Sequence, residues 1–147
     1  MKTRMSIKNA EPAIYKIMEK AEELMDSFDI EPKLKELVKL RTSQINGCGY
    51  CVNYHSKEAK KLGETEQRLY SVCTWWEVPF FSETEQAVLK FTEEVTNIFN
   101  GGVSDETFNL VVNKLGEQKT AQLIFIISTI NTWNRLAIST KMIAEDD

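Results

Sequence analysis

The chain has 147 residues, 42% of them hydrophobic and 27% charged, which suits one soluble domain with a real core, residues 1–147. Its 22 acids against 18 bases leave a net charge of -4, which argues against nucleic acid or an anionic membrane as the main partner. The longest strongly apolar run, Leu123 to Ile127, is too short to span a bilayer. Met1 to Ala10 has Lys2 and Arg4 but no apolar stretch behind them, so no secretory signal is expected and the reading is cytoplasmic. In that compartment a C-x-x-C is more often catalytic or metal-binding than a permanent staple.

Helix follows helix along the chain. Ile14, Ile17, Met18, Ala21, Leu24, Met25 and Phe28 recur at helical spacing and predict a helix from about Pro12 to Phe28. Pro32 opens a second helix with Leu34, Leu37, Val38 and Ile45, stopped at Asn46-Gly47. A third begins near Cys48 and runs to Leu62, with Gly63 as its stop. A fourth covers roughly Glu66 to Trp76 and is broken by Val78-Pro79-Phe80-Phe81. Ser82 and Glu85 form a capping box for a fifth helix reaching about Phe99. Ser104 caps a sixth, Asp105 to Leu115. The last, Glu117 to about Ile143, is apolar on most sides between Leu123 and Ile130 and is expected to be the buried central element. No segment reads as a strand, so the fold class is all-α.

The third helix carries the chemistry. Cys48 and Cys51 are spaced to close a disulfide, and in the first helical turn the unpaired N–H groups and the dipole favour a thiolate. His55, the single histidine of the chain, lies four residues beyond Cys51 on the same helix face and can hold or relay its proton. Such a set supports attack of a thiolate on an O–O or S–S bond, capture by the second thiol, and reopening by a reductant, with no metal or organic cofactor. Cys48, Cys51 and His55 also supply three zinc ligands, so zinc stands as a competing reading. Glu36 shares a helix face with Leu40, Ser43 and Gly47, which lead toward the cysteines. With Lys33 and Lys39 three residues to either side, the residues alone read Glu36 as a solvated surface acid.

Taken together, Glu36, Cys48-x-x-Cys51 and His55 at this spacing resemble the motif of AhpD-like alkylhydroperoxidases in the carboxymuconolactone decarboxylase superfamily. The flanks Leu40 to Cys48, Phe81 to Leu89 and Ile130 to Leu136 extend the resemblance over most of the chain. It implies an AhpD-like bundle of about six to seven helices, assembled as a homo-oligomer, commonly a trimer or hexamer. It implies a thiol peroxidase or dithiol–disulfide reductase whose partners are a small hydroperoxide and a dithiol reductant. By the same resemblance Cys51 is the peroxidatic nucleophile, Cys48 its resolving partner, and Glu36 and His55 a proton relay. The best-known members carry a second histidine directly before the second cysteine, where this chain has Tyr50. A non-enzymatic redox sensor and a lactone decarboxylase of the same superfamily are the alternative functions.

Other residues carry expectations of their own. Cys73, beside Val72 on an apolar helix, reads as a buried, inert thiol. Trp75 and Trp76 cannot both face one core, so one belongs at a subunit contact or at the mouth of the site. Asn131, Asn134 and Arg135 need hydrogen-bond partners on a helix this apolar. Tyr50 and Tyr54 flank the cysteines, and Tyr50 either lines the pocket or packs.

Overall fold

A computed structural model describes residues 1–144. Its described residues form helices and no strand: α1 (Ile7–Ala10), α2 (Pro12–Asp26), α3 (Pro32–Asn46), α4 (Gly49–Lys61), α5 (Glu66–Ser71), α6 (Glu83–Thr96) and α7 (Asp105–Thr140). The helix starts follow the predicted caps. Pro12 and Pro32 occupy the first turns of α2 and α3, Ser104 accepts from the Thr107 N–H, and Ser82 with Glu85 completes the capping box of α6.

The expected sixth and seventh helices are the two arms of α7. They meet at Gly116, whose φ of 82° and ψ of 165° lie outside the helical region and suit a residue without a Cβ. The second arm stops at Thr140, short of Ile143, because Lys141 turns left-handed and its N–H closes on Ala137 and Ile138. The stretch read as one helix from Glu66 to Trp76 is instead α5 followed by a 3₁₀ segment, Val72–Glu77. Its non-helical residue is the β-branched Thr74. The change of path brings the Trp75 indole N–H to Glu93, 2.8 Å away, and leaves Trp76 53% exposed. Cys73, on the same segment, is exposed, which corrects the expectation of a buried thiol. The fifth helix likewise ends at Thr96, with a 3₁₀ turn, Ile98–Asn100, beyond it.

The centre of the bundle is α3, not the last helix. It packs against α4, α6 and α7, and it buries Leu34, Lys35, Glu36, Leu37, Val38, Lys39, Leu40, Thr42 and Ser43. On the second arm of α7, Leu123, Ile126, Ile127 and Ile130 are buried while Ile124 and Phe125 are 39% and 38% exposed. One core cluster joins Val38, Val88, Phe91, Val111 and Leu123, and a second joins Leu37, Leu40, Ala59, Val72 and Leu89. Phe91 has no exposed surface, so truncating it to alanine removes about 3–5 kcal/mol of stability.

Burying three charged residues on one helix is costly unless each finds partners. Lys35 finds them at the end of α2. Its ammonium donates to the carbonyls of Met25 (2.9 Å), Asp26 (3.3 Å) and Phe28 (3.1 Å), at and just beyond the helix end. This lysine ties the C-terminal end of α2 to the central helix. Glu36 and Lys39 are held by the site itself.

Candidate active site

The two cysteines lie where α3 ends and α4 begins. Gly47, at φ 70°, reverses the chain, and the Cys48 N–H closes on the Ser43 carbonyl at 3.0 Å. Cys48 is the N-cap of α4 and not its first helical residue, and its sulfur accepts from the Cys51 N–H at 3.3 Å. The two sulfurs form a disulfide across Cα atoms 5.3 Å apart. Beside this turn is a partly buried amide cluster. Asn46 Nδ2 donates to the Oδ1 atoms of Asn131 and Asn134, each at 2.9 Å, and Asn134 Nδ2 donates to Ser43 Oγ at 3.1 Å. Arg135 donates back to the Asn131 carbonyl at 2.9 Å. The polar residues of α7 therefore have partners, Asn134 buried, Asn131 half-buried and Arg135 exposed, and Asn134 braces Cys48 through Ser43.

Glu36 is 9% exposed, not a solvated acid. Its Oε2 lies 2.8 Å from His55 Nδ1 and its Oε1 lies 3.4 Å from Lys39 Nζ. An ionised carboxylate only accepts, so the imidazole proton on this edge sits on Nδ1 and Nε2 is left to take another. Burial on its own would raise the pKa of Glu36. The hydrogen bond and charge of His55, then those of Lys39, outweigh it and hold the carboxyl below the usual range. For Lys39 burial works toward a lower pKa, but the charges of Glu36 and Glu22 prevail and raise it.

Sequence reasoning missed the other half of this network. Lys39 also donates to Glu22 Oε2 at 3.2 Å, and Glu22 Oε1 accepts from the Trp133 indole N–H at 2.8 Å. An unbroken line thus runs from His55 through Glu36, Lys39 and Glu22 to Trp133. Lys39 had a signal, being three residues from Glu36 on the same face of α3. Glu22 and Trp133 had none, because they enter from helices distant in the chain.

These groups surround one cavity of about 440 Å³, lined among others by Cys51, His55, Glu36, Lys39, Tyr50 and Trp133. Cys51 lines it, and Cys48, 1% exposed, lies behind. Tyr50, directly before Cys51, stacks on Tyr54 with centroids 6.5 Å apart and planes 9° from parallel. Tyr54 in turn meets the His55 ring edge-on at 5.1 Å. Elsewhere on the lining Tyr15 meets Trp133 edge-on at 5.3 Å. Tyr50 lines the pocket as well as packing. Among the described residues no group of three or more His, Cys, Asp or Glu is placed to hold a metal ion. No helix among them is long and apolar enough to cross a membrane.

Comparison with known proteins is consistent across sequence and structure. Residues 12–94 match the model of the carboxymuconolactone decarboxylase family. YdfG, an uncharacterized protein of Bacillus subtilis, is 38% identical over 139 residues, 95% of each chain. The crystal structure of a protein of unknown function from Agrobacterium tumefaciens, proposed as an antioxidant defence protein AhpD, superposes with a TM-score of 0.96. That protein is 32% identical, over 99% of this chain and 100% of its own. An AhpD-core, peroxidase-related protein from Ralstonia eutropha JMP134 superposes at 0.81 with 18% identity, over 95% of this chain and 74% of that one. At that identity the likeness is one of fold alone.

Proposed function

The chain belongs to the carboxymuconolactone decarboxylase family, with an AhpD-like fold, and we propose that it is a thiol-dependent peroxidase. Its cysteine pair reduces a hydroperoxide and is reset by a dithiol donor. The observation that carries this reading is the meeting of Cys51 and the Glu36–His55 pair on the wall of one cavity, with Cys48 bonded to Cys51 behind it.

The cycle starts from the reduced pair. The Cys51 thiol passes its proton to His55 Nε2, and Glu36 stabilises the imidazolium that results. The α4 N-terminus stabilises the thiolate. The thiolate attacks the terminal oxygen of the hydroperoxide. The O–O bond breaks, the alkoxide takes the proton from His55 and leaves as the alcohol, and Cys51 becomes a sulfenic acid. Cys48 attacks that sulfur. The S–S bond forms, and hydroxide leaves with the Cys48 proton as water. A dithiol donor then reopens the disulfide by two exchange steps and becomes a disulfide itself. One hydroperoxide and one dithiol yield one alcohol, one water and one disulfide. Cys51 is the nucleophile, Cys48 the resolving thiol, and Glu36 and His55 the relay.

Thiol counting tests this directly. Fully reduced protein holds three thiols. Stoichiometric organic hydroperoxide is expected to leave one, that of Cys73. In Cys48→Ser the cycle is expected to stop at a Cys51 sulfenic acid that dimedone traps. Three surviving thiols after peroxide treatment would refute the assignment.

A further inference from the structure

The cavity has a chemical character that the cysteines do not account for. Two of its walls are aromatic, the Tyr50–Tyr54 stack and the Tyr15–Trp133 pair. Its volume of about 440 Å³ lies within the range of about 300–1,000 Å³ typical of small organic ligands, far more than hydrogen peroxide needs. The charged groups on the wall are unbalanced. Glu22, Asp26, Glu36 and Glu58 line it, against one lysine, Lys39, and Lys61 pairs with Glu58 at 2.5 Å from outside the lining. Lys39 is buried between Glu22 at 3.2 Å and Glu36 at 3.4 Å, so its charge is already spent on protein carboxylates. Tyr54 reports the same field. Burial first, then the charges of Glu58 and Glu36, hold its phenol above its ordinary pKa. A carboxylate brought into this space would give up water, find Lys39 and His55 already held by protein carboxylates, and face like charges.

Building on the peroxidase reading, we propose that the site selects uncharged hydroperoxides carrying an aromatic group and turns away those that carry a carboxylate. The aromatic walls accept the ring through offset or edge-on contact, and the acids set the charge filter. Glu58 and Asp26 contribute to the filter without touching the relay from His55 to Trp133.

The test compares cumene hydroperoxide with its para-carboxylate, using dithiothreitol, an uncharged reductant, for both. At low ionic strength kcat/KM is expected to favour the neutral compound by about tenfold or more. About 0.5 M salt is expected to narrow the gap, because it screens the exposed acids at the mouth. The double variant Asp26→Asn/Glu58→Gln is expected to narrow it too, by speeding the carboxylate more than it changes cumene hydroperoxide. Values within twofold of each other in wild type would overturn the selection and leave the peroxidase intact. A preference that neither salt nor the double variant moves would overturn its electrostatic origin. No turnover of either compound would remove the peroxidase reading and the selection with it.

Discussion

His55 Nδ1 and Glu36 Oε2 lie 2.8 Å apart although 19 residues separate them in the chain. The contact joins two helices that run back against each other from the Gly47 turn, and it sets which imidazole nitrogen is free. Replacing Glu36 with glutamine keeps the shape and removes the charge that stabilises the imidazolium. We expect kcat/KM for hydroperoxide to fall about 10²-fold, with the far-UV spectrum unchanged. Wild-type activity in this variant would remove Glu36 from the relay.

The same carboxyl gives the protein a predictable acid response. Its pKa in the fold lies below the ordinary 4.5, so its contribution to stability is fully present above that value and is lost as pH falls through the lower, folded one. Thermal denaturation from pH 7 down to 3 is expected to show a steeper loss in wild type than in Glu36→Gln. Lys39 acts at the other end. Its raised pKa makes its contribution complete below its ordinary 10.5 and lost only as pH climbs through the higher, folded value.

Lys39→Met leaves Glu22 and Glu36 facing each other with no cation between them. We expect a loss near the lower end of the ~3–5 kcal/mol seen when one partner of a buried pair is removed, since the Glu22 side chain keeps 33% of its exposure. Adding Glu22→Gln is expected to restore part of it. Urea denaturation of the two single variants and the double gives the coupling, and strictly additive effects would mean the ion pair is idle.

Cys73 is the free cysteine among the described residues, and it is exposed on the 3₁₀ segment. Cys73→Ser is expected to leave steady-state turnover within about twofold, while Cys48→Ser removes turnover but not the first, single oxidation. A Cys73→Ser enzyme that lost turnover would bring that thiol into the cycle.

Ile17, Leu24, Ile124 and Phe125 leave apolar side chains open on α2 and α7. We propose that copies of the chain cover such surface, as the resemblance to AhpD-like proteins implies. Sedimentation is expected to give a trimer or a hexamer of the 16.9 kDa chain. A monomer at micromolar concentration would contradict this.

The helices were legible because apolar spacing and caps act locally. Ser82 with Glu85, Pro32, Gly47 and the arms either side of Gly116 all lie where the sequence places them. The Cys48, Cys51 and His55 set was legible for the same reason, since all three share one helix start. What misled was charge. With Lys33 and Lys39 three residues to either side, Glu36 reads as a solvated surface acid. Its burial depends on partners that local spacing does not reveal, His55 and a Lys39 that is itself held by Glu22. Glu36 was singled out by its spacing to the cysteines, through the resemblance, and not by its own chemistry. Cys73 failed because Thr74 departs from helical geometry and turns the segment so that Trp75, not its neighbours, reaches the core.

The most direct measurement is steady-state consumption of an organic hydroperoxide with a dithiol donor, run on wild type, Cys51→Ser and His55→Ala side by side. If the peroxidase assignment holds, wild type turns over, Cys51→Ser shows nothing above background, and His55→Ala loses about 10²-fold or more. Equal rates in wild type and Cys51→Ser would contradict it.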